Sequence, residues 1–287
     1  MRKFKFTLQR KTLETIYTSY VRPVLEYGNT VMCNISLANK TRLENIQLTA
    51  ARIVCGAVKG TIHERLYNEL KWQTLESRRI EKQLHIMYKM HKKQTPPYLY
   101  LHVNKPHQQT YQLRNQNTCY IEPQMANKTL YQNSFLPSTI NLWNNLNIDI
   151  KNCESFKSFK EKLKTSPKQN DYFYKGSRIG QIFHARLRMK CSDLNSHLVD
   201  RHISDNRSCS CGYLNENNEH YLLYCPNYER ARNHLSSISV PINTDILLFG
   251  KAEYTDEINK HIFLKVQSFI LESRRFENEY NAGYINS

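Results

Sequence analysis

The chain has 287 residues, 40% of them hydrophobic and including 19 Tyr and 11 Phe, which excludes a polypeptide disordered by composition. Only 8 Gly and 9 Pro argue against a many-turned β-sandwich. Lys and Arg number 41 against 25 Asp and Glu, a formal net charge of +16, which favours a polyanionic partner, nucleic acid first; a merely solvated basic surface is the alternative.

The length suits two small domains, or one domain with appendages. The first hundred residues read as helices. Leu13, Ile16, Tyr17, Tyr20, Val21, Val24 and Leu25 recur at three- and four-residue spacing, one helical face. Pro23 inside that pattern should kink or split the helix. A second helix is predicted after Asn39, with Leu43, Ile46, Ala50 and Ile53 inward. A third covers about His63 to Leu70. A fourth has Thr74 as N-cap and carries Ile80, Leu84, Met87, Tyr88 and His91, ending before Pro96-Pro97.

From 98 to 130 polar residues, Pro106 and Pro123 interrupt any period, and the stretch reads as extended segments and loop. A helical unit follows over Tyr131–Leu146, with Pro137 in its first turn. A short amphipathic helix covers Ser155–Leu163. Asn259 to Phe276 gives a terminal helix with Ile262, Phe263, Val266, Phe269 and Ile270 on one face. The fold class expected is therefore mostly α: a helical bundle, a mixed linker, a small Cys/His module and a C-terminal helix.

Of eight Cys, the first five (Cys33, Cys55, Cys119, Cys153, Cys191) are scattered, as reduced thiols in cores would be. Arg2, Lys3 and Lys5 are followed by no apolar h-region, and no apolar run is long enough to cross a membrane. An intracellular chain, cytoplasmic or nuclear, fits these features.

Cys209-Ser210-Cys211-Gly212, His220 and Cys225-Pro226 form the sharpest constellation. Three thiolates and one imidazole suit a tetrahedral, structural Zn²⁺. Gly212 permits the turn after the first pair, and Glu219–Tyr224 reads as a short helix that presents His220. Buried thiols beside an ordinary His are the bland alternative, and His202 is a weaker candidate for the fourth ligand.

The segment Lys151–Lys190 carries eleven Lys/Arg against three acids, half the net charge of the chain. Within it Tyr172, Phe173, Tyr174, Lys175 and Arg178 lead to Phe183, Arg186 and Arg188. Cations can meet phosphates and aromatic rings can stack on unpaired bases. The competing view makes Ile182, Phe183 and Leu187 core and leaves the Arg solvated. No Asp residues are adjacent, and no glycine-rich phosphate loop or Gly-x-Ser-x-Gly elbow is present. The chain itself is expected not to be an enzyme.

Several segments, taken in order, resemble the region downstream of the polymerase palm in non-LTR retrotransposon reverse transcriptases. They are Tyr17-x-x-Tyr20-Val21-Arg22-Pro23-Val24-Leu25-Glu26-Tyr27-Gly28; Leu43-Glu44-Asn45-Ile46-Gln47 with Ala50-Ala51-Arg52-Ile53; Leu75-Glu76-Ser77-Arg78-Arg79; and Pro97-Tyr98-Leu99. Ser134-Phe135-Leu136-Pro137, Leu142-Trp143-Asn144-Asn145-Leu146, Ala185-Arg186-Leu187-Arg188 and the cluster ending Cys225-Pro226-Asn227-Tyr228 follow. The resemblance implies a thumb-like region over 1–100 and a linker with short helices over 101–170. It implies a basic segment and zinc-knuckle-like module over 171–236 and a helical end over 237–287. The family is an RNA-directed DNA polymerase, and the implied partners are RNA or DNA and the palm of a parent polypeptide. The palm's aromatic-x-Asp-Asp motif is missing here, so a truncated copy or a fragmentary gene model is expected. A protein-interaction module with a zinc staple, or a non-functional pseudogene product, are the rival readings.

Overall fold

A computed structural model describes residues 1–103, 119–123, 127–164 and 169–278. The protein is mostly α, with no strand among the described residues. In chain order the helices are α1 (Arg10–Ile16), α2 (Arg22–Leu25), α3 (Leu37–Cys55), α4 (His63–Leu70) and α5 (Leu75–His91). Then come α6 (Pro97–Tyr100), α7 (Thr129–Gln132), α8 (Phe135–Asn144), α9 (Ile148–Lys151) and α10 (Phe156–Leu163). The last are α11 (Arg178–Arg188), α12 (Asn195–Asp200), α13 (Glu229–Ser236), α14 (Thr244–Phe249) and α15 (Asp256–Ser273).

Local chemistry sets many of these boundaries. The Thr74 hydroxyl accepts the Ser77 amide at 3.1 Å and so opens α5 as expected. Ser155 does the same for α10 through the Ser158 amide at 3.1 Å. Pro137 lies in the first turn of α8, where its missing N–H costs nothing. The helical unit expected over Tyr131–Leu146 consists of α7 and α8, separated at Ser134. Of the stretch expected to be extended, α6 is helical, while 104–118 (with Pro106) and 124–126 lie outside the described residues.

At Pro23 the helical pattern is split, as expected: a π-helical stretch, Tyr17–Val21, separates α1 from α2, the short turn that carries Pro23. A wider turn accommodates the hydrogen bond that proline cannot donate. The extra residue also rotates the apolar stripe. Leu13 and Tyr17 are fully buried, whereas Tyr20 is 75% and Val24 73% exposed. In α3 the buried residues are Gln47, Leu48, Ala50, Ala51, Val54 and Cys55; of the four expected inward, Ala50 is buried, Leu43 and Ile53 are half-buried and Ile46 is exposed.

The chain forms two compact units that do not follow consecutive cuts of the sequence. The first combines Met1–Arg22, Ile46–Trp72 and Lys168–Ser287. Its core joins Ile182, Phe183 and Leu187 of α11 to Tyr221, Leu222, Leu247 and the α15 residues Ile262, Val266, Phe269 and Ile270. The backbone of α11 approaches α15 so closely that a Cβ at Gly180 would meet the Gln267 side chain at 2.6 Å.

The second unit combines Pro23–Asn45 and Gln73–Pro167. Here α5 is the spine, and Leu84, Met87 and Tyr88 pack with Ile140, Trp143 and Phe159. Tyr88 stacks on Phe159 with centroids 4.4 Å apart and donates its hydroxyl to the Cys153 carbonyl at 2.8 Å. Trp143 donates its indole N–H to the Cys119 carbonyl at 2.8 Å. The polar ends of both large rings are thus satisfied inside the core.

Candidate metal centre and the basic segment

The loop after α12 turns back on itself at Gly212. The Gly212 amide donates to the Cys209 carbonyl at 3.0 Å, and the Cys209 amide donates to the Tyr213 carbonyl at 2.8 Å. At this turn Gly212 has φ +92°, a conformation that a side chain would strain. The result points Cys209 and Cys211 to the same side. The other pair comes from His220–Tyr224, a π-helical turn whose start is fixed by the Asn217 side chain accepting the His220 amide at 2.8 Å. The Cys225 amide closes the turn on the His220 carbonyl at 2.8 Å.

Together these elements bring Cys209, Cys211, His220 and Cys225 into one cluster, with every ligand atom within 4.8 Å of every other. Cys209 Sγ lies 3.6 Å from Cys225 Sγ, and Cys211 Sγ lies 3.3 Å from His220 Nε2. This donor set could hold a metal ion. All but Cys211 are buried. His202 is exposed and does not join the cluster.

The thiols are not equivalent. Burial, with Cys209 close by, pushes the Cys225 thiol up to about 12. The Tyr213 backbone amide holds the Cys211 thiol below its usual value. Burial lowers the His220 imidazole, which favours the neutral, metal-binding form. Deprotonating Cys225 without a cation nearby is therefore costly.

Two residues that the motif did not indicate complete the surroundings. Tyr213 stacks flat on the His220 ring, with centroids 4.3 Å apart and planes 5° apart. Glu216, 2% exposed, accepts two hydrogen bonds from the Arg275 guanidinium, each at 2.8 Å. Arg275 also donates to the Asp193 carbonyl at 2.7 Å, so the residues after α15 tie the module down. Sequence spacing carries no signal for a pair 59 residues apart.

The basic segment differs from its expected role. Arg178, Arg186 and Arg188 are only 5%, 4% and 8% exposed, so they form no phosphate-facing patch. Arg178 donates to the carbonyls of Ile53 at 2.9 Å and Val54 at 2.8 Å, and Arg186 to that of Gly56 at 2.8 Å. They satisfy the carbonyls left open at the C-terminus of α3, where the helix dipole also favours cations. Arg188 and Arg10 both ion-pair with Glu69. Burial alone would raise the Glu69 carboxyl, but Arg188 and Arg10 outweigh it and hold the group ionised below its usual range.

The aromatic residues are also engaged. Tyr172 is buried with its ring 4.8 Å from that of Phe263. Tyr174 is half-buried and donates its hydroxyl to Glu14 at 2.7 Å. Of the six predicted nucleic-acid residues, Lys175 alone is exposed. Most of the segment's exposed cations lie instead on α10 and just after it, Lys157, Lys160, Lys162 and Lys164, with Lys175 and Lys190 also exposed. Lys168 lies outside the described residues.

No described helix is long and apolar enough to cross a membrane. Comparison with protein-family models, with curated proteins and with solved structures gave no match.

Proposed function

We propose that the chain is a nucleic-acid-binding C-terminal part of a non-LTR retrotransposon reverse transcriptase, stapled by one structural Zn²⁺ at Cys209, Cys211, His220 and Cys225. The convergence of these four ligands carries the reading. Tetrahedral zinc with Zn–S bonds of about 2.3 Å requires ligand atoms roughly 3.8 Å apart. The 3.6 Å and 3.3 Å separations lie near that edge. Three sulfurs and one imidazole nitrogen are a zinc-type donor set rather than one for Ca²⁺ or Mg²⁺, which take oxygen.

The net charge and the order of the reverse-transcriptase-like segments support the nucleic-acid part. With the arginines of α11 internal, the exposed lysines on and just after α10 are the densest group of the basic segment's cations available to phosphates. The zinc module organises backbone, and the lysines supply sequence-independent grip. Nucleotidyl transfer belongs to the palm of the parent polypeptide, and no residue of this chain is given a catalytic role.

Salt-dependent binding tests the proposal. A labelled single-stranded RNA titrated across a range of salt should show a log–log slope, each phosphate contact adding about 0.7. Substituting Lys157, Lys160 and Lys164 by Gln should flatten the slope by about 2. Binding that ignores both salt and these substitutions would leave a zinc-stapled interaction module as the better account.

A further inference from the structure

The second unit holds a pocket of about 500 Å³ that the proposed function does not use. Its walls include Lys40 of α3, Arg79 of α5, Asn141 of α8, and Asn133 and Asn145 at the ends of α7 and α8. Arg79 is only 4% exposed. Its Nε has no hydrogen-bond partner among the described residues, and no carboxylate there ion-pairs with it. The acid that lines the same pocket, Glu76, is taken by Lys40 at 2.8 Å.

This sets Arg79 apart. The other deeply buried arginines, Arg10, Arg178, Arg186 and Arg188, all donate to a carboxylate or to backbone carbonyls. A guanidinium cannot shed its proton to escape burial. The Arg79 Nε is shut away from solvent with its donor unused, which is unfavourable unless something compensates it. An anion in the pocket would supply that compensation, and the planar fork of guanidinium N–H groups matches the oxygens of a phosphate.

We propose that this pocket binds a nucleotide, with its phosphate on Arg79. The volume far exceeds that of a bare anion and falls in the range of small-ligand sites. The side-chain amides of Asn133, Asn141 and Asn145 make no hydrogen bonds to other described residues. Each offers both a donor and an acceptor, the combination that a base edge presents in return. The phosphate can belong to a free nucleotide or to the terminal nucleotide of a strand. The site shares no residue with α10, so it stands whether or not the α10 lysines hold RNA.

Calorimetric titration of the full chain tests it, using a nucleoside 5′-monophosphate, the same nucleoside, inorganic phosphate and acetate. The monophosphate should bind one to one, and the unphosphorylated nucleoside should not bind measurably. Arg79→Gln should weaken the monophosphate at least tenfold, yet melt no lower than wild type in anion-free buffer, because the lost charge had no partner. Should that variant fail to fold, Asn141→Asp replaces it: a carboxylate in the pocket wall should repel the phosphate and weaken binding similarly. With the α10 lysines substituted, 5′-phosphorylated and 5′-hydroxyl oligonucleotides separate the two sources. A preference for the phosphorylated strand with no binding of the free nucleotide would assign the site to strand ends. No saturable binding of either phosphorylated ligand, equal binding by Arg79→Gln or Asn141→Asp, or acetate binding as well as phosphate would overturn the proposal.

Discussion

Arg188 on α11 forks onto the Glu69 carboxylate across 119 residues of sequence, Nε to Oε2 at 2.9 Å and Nη2 to Oε1 at 2.7 Å. Arg10 reaches the same Oε1 at 2.6 Å and adds a bond to the Glu69 carbonyl at 2.8 Å. One carboxylate thus holds two interior guanidinium groups, drawn from three separate stretches of the first unit. Phe173 covers the arrangement, with the Arg188 guanidinium 4.6 Å from its ring centre.

Replacing Glu69 by Gln should therefore be severe. It strands two permanent charges in the core, and removing one partner of a buried pair costs about 3–5 kcal/mol. Denaturant unfolding of Glu69→Gln should show a loss of that size, if the chain folds at all. Arg186→Ala and Arg188→Ala should also lower stability, without a change in the salt slope of RNA binding specific to them. Near-wild-type stability for Glu69→Gln would mean that the two guanidinium groups find other partners.

Acid should weaken the first unit well before its carboxylates titrate. Burial pushes the His197 imidazole from 6.5 down to about 4 against the opposing charge of Asp200, and burial holds His184 well below its usual value. The folded state keeps these rings neutral while the unfolded chain protonates them. Their stabilising contribution is full above pH 6.5 and is lost as pH falls towards about 4. At about 1.4 kcal/mol per pKa unit, His197 contributes at most about 3 kcal/mol. Stability measured from pH 7 to pH 4 should fall, and less steeply in His197→Gln. Identical slopes for the two proteins would remove His197 from the account.

The isolated chain should extend no primer. Nucleotidyl transfer requires divalent cations held by clustered carboxylates, and the sequence has no adjacent Asp pair. Incubation with an RNA template, primer, nucleotides and Mg²⁺ or Mn²⁺ should give no product; incorporation that survives repurification would contradict this.

Where local chemistry decides, the sequence was readable. The Thr74 and Ser155 caps, Pro137 in a first turn and the stripe on α15 all depend on neighbours a few residues away. The metal cluster belongs to the same class, because its four ligands fall within seventeen residues. Long-range pairing was not readable. Arg178, Arg186 and Arg188 look like a basic patch when counted along the chain. They are interior because α3 leaves carbonyls open and because Glu69 sits where two of the buried arginines need an acid. Charge totals cannot separate those arginines from Lys157 or Lys160, which are exposed. The π-helical turn before Pro23 likewise changes which residues of one apolar stripe face inward, and periodicity alone assumes an unbroken 3.6-residue repeat.

The zinc staple is the central claim. The loop from Tyr213 to Asn218 is short and mostly polar, so burial alone holds it weakly, while structural zinc contributes about 10–16 kcal/mol of apparent binding free energy at neutral pH. Native mass spectrometry of protein purified without chelator should find one Zn²⁺ per chain. Hydrogen exchange before and after chelation should then lose protection around Cys209–Cys225, with α5 and α8 unchanged, and Cys225→Ser should reproduce that pattern where Cys33→Ser does not. A metal-free chain, or protection around His220 that survives zinc removal, would contradict the account.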